Sequence, residues 1–328
     1  MLHDVDEPGM LKKMTIGLSQ IILLCTGPDD NSFKMLRNVH ESIRKVGLEK
    51  NVLILGDSLE TCEKLNMSSC KWSSRLILDK PAKSISLEKY WDWRFRFYYI
   101  KKRLIADLIH LNKTVIQSDT DAYWFKNPFP VLNSMNSSII VQSDGPFANA
   151  GLIYARPGSQ EALNMLEDLA WRIQLFQNRP NIVRRLVSFA KDPFYANSDD
   201  QTILNDAIQS AVLQKKSFMG STARFEARNH HNGNRGPYWH DTYEHKVHIK
   251  NMKNVWARSQ IRKVLYLNKI YHYTVFPITR EDSVGIAPSV IFSHVKNKLD
   301  NLFILHLAGV RGFANKLKYL QQHHLFHS

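Results

Sequence analysis

The chain has no stretch approaching the roughly 18 consecutive apolar residues of a membrane-spanning helix. Its densest apolar run, Ile21 to Cys25, is far too short for that and reads as a strand. It also lacks the basic start of a secretory signal. Met1 to Glu7 is acidic, and the apolar stretch after Lys12 and Lys13 is broken by Gly17, Ser19 and Gln20. Cysteine is scarce: with three, the chain is not built on a disulfide framework. Cys25 ends an apolar run and is expected to be buried, whereas Cys62 and Cys70 lie in a polar region and can pair in an oxidising compartment. There is no internal repeat, no low-complexity linker and no long Lys/Arg block. The net charge of +14 is therefore dispersed; it attracts phosphate-bearing partners but reads first as a solvated basic surface. No Gly-x-Ser-x-Gly, Walker loop or Gly-x-Gly-x-x-Gly occurs, so nothing here points to those hydrolase, P-loop or dinucleotide-binding sites. His230, His231, His240, His245 and His248 crowd one region without a nearby Cys or a zinc spacing, which leaves an acceptor-binding loop or a plain surface loop.

What is present is an ordinary apolar share, 44% of 328 residues, enough for a real core. A strand over Thr15 to Thr26, a Gly27-Pro28 turn, a helix capped by Asn31 or Ser32 and running to about Val46, and a strand at Asn51 to Leu55 open the chain as strand–helix–strand. That order predicts an α/β fold with a parallel sheet. Tyr90 to Leu111 has helical spacing at Tyr98, Ile105, Leu108 and Ile109. Its aromatic and Arg-rich first half (Trp91, Trp93, Arg94, Phe95, Arg96, Phe97) reads as sheet packing before base stacking. Strands are expected at Thr114 to Gln117, Ser138 to Gln142, Ala150 to Ala155, Val264 to Leu267 and Phe303 to Leu307. Helices are expected at Gln160 to Phe176, at Gln201 to Val212 behind a Ser198 or Asp199 cap, and at Ala314 to Gln322, with residues 220–260 polar and irregular.

The segment with the most chemistry is Thr114-Val-Ile-Gln-Ser-Asp-Thr-Asp121, a short apolar strand running straight into Asp-x-Asp. Residues two apart in extended chain point to one side, so both carboxylates can face one point at the carboxyl edge of the sheet, where ligands bind in open α/β folds. Two hard oxygen donors suit Mg²⁺ or Mn²⁺, and such an ion neutralises a departing diphosphate.

The longer run Gln117-Ser-Asp-Thr-Asp-Ala-Tyr-Trp-Phe-Lys-Asn-Pro128 resembles the Asp-x-Asp segment of the nucleotide-diphospho-sugar transferase family, which includes plant-type xylosyl- and arabinosyltransferases. Asn149-Ala-Gly-Leu-Ile-Tyr-Ala-Arg-Pro157 is similar to that family's Asn-x-Gly strand, and Ser198-Asp-Asp-Gln-Thr-Ile-Leu-Asn205 to its Asp-Gln-x-x-x-Asn helix start. Three motifs in order cover residues 50–210 best. The resemblance implies a GT-A-type, Rossmann-like fold: a central mixed, mostly parallel sheet flanked by helices. A short extension over residues 1–14 would precede a single domain over 15–328, its nucleotide half at about 15–125 and its acceptor half at about 140–328.

It also implies roles. Asp119 would reach the ribose, or the metal through water, and Asp121 the metal directly. Asn149 and Gly151 would lie beside the donor sugar; a simple turn before a strand is the plainer reading of that glycine. Asp200 and Gln201 would form the catalytic pair at a helix start, where a carboxylate is also favourable as a cap alone. Near the C-terminus, Leu305-His-Leu-Ala-Gly309 with Arg311 and Lys316 resembles a closing segment. His306 would be the third metal ligand and Lys316 would touch the diphosphate, against the plain reading of His306 as a core residue. An imidazole in the set favours Mn²⁺ over Mg²⁺.

The expected activity is transfer of a sugar, with retention, from a nucleotide-sugar donor such as a UDP-sugar to a glycan or glycoprotein hydroxyl. Nucleic acid is not an expected partner. The rivals are a metal-dependent phosphohydrolase and a binding protein, either one that keeps the fold without turnover or a basic nucleic-acid binder. The resemblance implies the Golgi lumen behind an N-terminal anchor; this chain shows no anchor, and the cytoplasm is the alternative.

Overall fold

The computed structural model describes residues 3–74, 89–144, 147–179, 200–216, 253–294, 299, 301–310 and 312–327. Short helix α1 (Met10–Met14) precedes β1 (Gln20–Thr26), α2 (Asp30–Lys45), β2 (Val52–Gly56), α3 (Leu59–Leu65) and β3 (Cys70–Lys71). Then come α4 (Lys89–His110), β4 (Thr114–Ser118), β5 (Ala122–Trp124), α5 (Phe129–Ser134), β6 (Ile139–Asp144) and β7 (Phe147–Ala155). Helices α6 (Gln160–Asn178) and α7 (Asp200–Leu213) follow. The last elements are β8 (Gln260–Tyr266), β9 (Lys269–Pro277), β10 (Ser283–Ile286), β11 (Phe292–His294), β12 (Ile304–His306) and α8 (Phe313–Gln322).

Nine strands form one mixed sheet in the order β3-β2-β1-β4-β7-β6-β10-β9-β8, and β11-β12-β5 form a small second sheet. Pairing is parallel through β3-β2-β1-β4 and antiparallel where β7 meets β4 and β6. The alternation of β1 shows how helices cover both faces. Ile21 and Leu23 pack with α4, α6 and α7, while Ile22 and Leu24 pack with α2 and α5. Each of these side chains is buried, worth roughly 1.5–3 kcal/mol apiece. A third apolar cluster joins Tyr123, Leu305 and Leu307 to Leu320 of α8, which seats the C-terminal helix on the small sheet.

Several boundaries differ from the sequence reading. The first strand starts at Gln20, not Thr15, because α1 and a left-handed Gly17 occupy the preceding residues. The cap of α2 is Asp29, whose carboxylate accepts from Ser32 N at 3.0 Å and from Ser32 Oγ at 2.6 Å. Asn31 and Ser32 are inside the helix. Leu267 belongs to a turn, not to β8. Cys25 is half-buried, since it lies at the open carboxyl end of β1; Cys62 and Cys70 are joined in a disulfide. The side chains of residues 89–96 and the five clustered histidines lie outside the described residues, as do Ser198 and Asp199. No described helix is long and apolar enough to cross a membrane.

Candidate active site

The Asp-x-Asp segment is the link between the two sheets. β4 ends at Ser118, and Asp119 N still donates to Gly151 O at 2.8 Å. Three residues later Ala122 is already in β5, paired with His306 of β12. Leu307 N donates to Asp121 O at 2.9 Å, so the small sheet fixes the second aspartate. The two carboxylates therefore converge because the chain turns between sheets, not because they alternate along an extended strand.

His306 completes the group. One ligand atom from each of Asp119, Asp121 and His306 lies within 4.8 Å of the others. Its Nε2 is 3.1 Å from Asp121 Oδ1 and 3.9 Å from Asp119 Oδ2. Gln142, which sequence reasoning did not single out, sets the imidazole. Its amide Nε2 donates to Ser293 O at 2.9 Å, which aims Oε1 at His306 Nδ1, 2.7 Å away. Nδ1 therefore carries the hydrogen and Nε2 faces the carboxylates, the usual support behind a metal-binding histidine. Burial opposes a charge on His306, but Asp121 beside it outweighs burial and raises its pKa. Burial likewise opposes ionisation of Asp121, yet His306 and Lys316 hold its carboxyl well below the usual range. Lys316 of α8 donates directly to Asp121 Oδ2.

Gly151 lies within β7, not ahead of it, and its lack of a side chain is what admits His306. A Cβ there would stand 2.8 Å from His306 Nε2, closer still to Cε1, and 2.9 Å from Asn149 Oδ1. The register of β6 and β7 shifts between Val141 and Gln142, and this irregularity places Asn149 opposite Gln142. Asn149 Oδ1 accepts from Gly151 N at 2.8 Å, and its Nδ2 donates to Gln201 Oε1 at 3.0 Å. Asn205, one turn further along α7, clamps the helix to β7. It accepts from Ala148 N at 3.0 Å and donates to Ala148 O at 2.9 Å.

A second carboxylate centre lies beside the first. Asp200 Oδ2 is 3.1 Å from Lys101 Nζ and 3.4 Å from Lys102 Nζ, and Lys101 Nζ is also 3.1 Å from Asp119 Oδ1. Both lysines are buried members of α4. Lys102 donates to Gln117 Oε1 and, at 2.9 Å, to Ala150 O. Burial opposes the charge on Asp200, but the two ammonium groups outweigh it and lower its pKa. Burial and neighbouring Lys101 bring Lys102 down to about 8, whereas Asp119 and Asp200 raise Lys101 against burial. The lysines were not found from sequence because a Lys-Lys pair on a helix reads as solvated. The hint available was their place one helix upstream of Asp-x-Asp. Of the expected site residues, Asp119, Asp121, Asn149, Gly151, Asp200, Gln201, His306 and Lys316 form one connected group; Arg311 lies outside the described residues.

A mixed α/β sheet with a carboxylate–carboxylate–imidazole group at its carboxyl edge defines an α/β protein whose donor set fits one divalent ion. Residues 56–225 match the model of the nucleotide-diphospho-sugar transferase family. The chain belongs to that family. A β-arabinofuranosyltransferase of Arabidopsis thaliana is 41% identical over 46 residues, which is 14% of this chain and 9% of that protein. Among solved structures, a glycosyltransferase involved in glycosylation of the PBCV-1 major capsid is 11% identical, with 92% of this chain and 99% of that one covered and a TM-score of 0.37. Mouse xyloside xylosyltransferase 1 is 10% identical, with 57% of this chain and 80% of that one covered and a TM-score of 0.29.

Proposed function

We propose that the chain is a metal-dependent glycosyltransferase that moves a sugar from a nucleoside diphosphate, UDP foremost, to a hydroxyl of a glycan or glycoprotein, with retention of configuration. The observation that carries this reading is the convergence of Asp119, Asp121 and His306 within 4.8 Å beside a third carboxylate, Asp200, which its lysine neighbours keep ionised. Asp119, Asp121 and His306 would hold the ion, Mn²⁺ in preference to Mg²⁺ given the imidazole. When bound, it supplies positive charge against the diphosphate leaving group. Among the described residues this is the one such three-ligand group, which suits a single ion better than the paired ions of metal phosphohydrolases.

The chain's own residues supply the rest. Lys316, with Arg311, serves the diphosphate; Asn149 and Gly151 face the donor sugar. Asp200, kept ionised by Lys101 and Lys102, offers negative charge where the anomeric carbon becomes positive, with Gln201 alongside. The segment at about 15–125 contributes the nucleotide side and 140–328 the acceptor side. A Cys62–Cys70 disulfide suits an oxidising compartment, so we place the activity in the Golgi lumen.

The test is calorimetric titration of UDP into wild type and Asp121→Asn, with Mn²⁺ and with chelator. Wild type should lose at least about tenfold in UDP affinity on chelation, since the metal contact is worth more than about 1.4 kcal/mol. Asp121→Asn should bind weakly in both conditions while keeping its circular dichroism. An equal metal response in the variant would remove the assignment.

A further inference from the structure

The β8–β9 hairpin forms the edge of the large sheet remote from β3. Its inner face is committed to the core through Val264, Tyr273 and Val275, all buried. On its outer face Ile261, Leu265 and Ile270 alternate with Lys263, His272 and Thr274, and among the described residues nothing covers them. Ile261, Leu265 and Ile270 are 74%, 67% and 61% exposed, and Leu265 pairs directly with Ile270. At the tip, Leu267 is 76% exposed.

The tip carries the second observation. Leu267 and Asn268 have φ values of 48° and 60°, so the two-residue turn is left-handed at both positions. Such a turn favours Asn or Gly, and a leucine there is strained. The fold gains no burial from this leucine to offset that strain. A strained, exposed leucine beside exposed apolar side chains is the pattern of a contact surface.

Charge decides what that surface contacts. From Gln260 to Pro277 the hairpin holds Arg262, Lys263 and Lys269 and no Asp or Glu. Lys263 is exposed on the outer face between Ile261 and Leu265, and Lys269 is exposed just after the turn, on the other face of the hairpin. A second copy of this face would set like charges against each other. An anionic bilayer surface meets both features: headgroups attract the ammonium groups, and the interfacial layer takes the leucine and isoleucine side chains. We propose that this hairpin is a membrane-surface anchor, its tip inserted into the headgroup layer of an anionic phospholipid membrane. The inference is independent of the transferase chemistry, and it holds for a lumenal protein only where the lumenal leaflet carries anionic lipid, since the strongest anionic surface is cytoplasmic.

The experiment is flotation of the full chain with phosphatidylcholine vesicles, with and without phosphatidylserine, at low and high salt. Wild type should float with anionic vesicles and be released by salt. Leu267→Asn relieves the turn strain, so it should fold at least as well, yet it should bind about tenfold more weakly. Lys263→Gln with Lys269→Gln should cost about fivefold per charge. Failure of wild type to float with anionic vesicles at low salt would overturn the proposal. So would unchanged flotation of both Leu267→Asn and Leu265→Ser, which would reduce the effect to general basic attraction. Sedimentation showing a dimer that Leu265→Ser dissolves, with no flotation, would assign the face to a second copy and overturn it equally.

Discussion

At the scale of single residues the site turns on what Gly151 lacks. The imidazole of His306 occupies the space a Cβ would need, and its Nδ1 is tied to Gln142 Oε1 behind it, so a retreat costs that hydrogen bond. Gly151→Ala should therefore displace His306. We expect a stability loss of about 1–3 kcal/mol from overpacking and a loss of metal affinity on the order of tenfold to a hundredfold, as when the support of a metal-binding histidine is removed. Mn²⁺ titration and urea unfolding of the variant check both numbers; wild-type metal affinity would show that His306 is not a ligand. Sequence reasoning named Gly151 and His306 separately and joined neither to the other, because the contact is set by a sheet register and not by spacing along the chain. Gln142 was invisible for the same reason: an amide in an apolar strand gives no local sign of what it will face across a bulge.

At the scale of elements, α4 and α7 are held together at the site by charge. Asp200 at the start of α7 meets two buried lysines of α4, and Asn205 fastens the same helix to β7. Because the folded-state pKa of Asp200 lies below its ordinary 3.8, the pairing contributes its full stability above about pH 4. That stability is lost as pH falls below 3.8 through the depressed value. Asp200→Asn should cost on the order of 3 kcal/mol at neutral pH, by leaving buried ammonium groups short of a partner. The gap to wild type should narrow toward pH 3. Urea midpoints at pH 7, 5 and 3 measure it, and a gap independent of pH would mean that Asp200 is held by packing and not by the lysines. The helices themselves were legible in sequence, α4 and α7 to within a residue or two, since apolar periodicity survives whatever their polar faces do. Of the small β5–β11–β12 sheet only β12 was legible, as the apolar run expected to be a strand at Phe303 to Leu307; β5 and β11 have three residues each, without such a run or any period to show.

At the scale of the whole molecule the site joins segments far apart in the chain. Asp121 and Lys316 are 195 residues apart in sequence and in direct contact, with α8 seated on the small sheet by Leu320. The motif pattern anticipated that the C-terminal segment closes the site, but it placed Lys316 on the diphosphate, whereas the structure shows its ammonium against Asp121. These positions are compatible if Lys316 neutralises Asp121 in the unliganded protein and turns to phosphate when a ligand is bound. Lys316→Ala separates the two contacts. Losing the partner of a mostly buried carboxylate should lower stability of the unliganded protein by about 1–3 kcal/mol. Mn²⁺ alone should bind no worse than to wild type, since a competing cation has gone. UDP should weaken by about tenfold or more while uridine is unaffected, because a lysine acts on phosphate as a point charge and a nucleoside offers it nothing. Calorimetry with the three ligands decides the matter. Equal weakening of UDP and uridine would mean that Lys316 shapes the pocket without touching phosphate. A loss of Mn²⁺ affinity would mean that its contact with Asp121 positions that carboxylate for the ion and does not hold the ion's place.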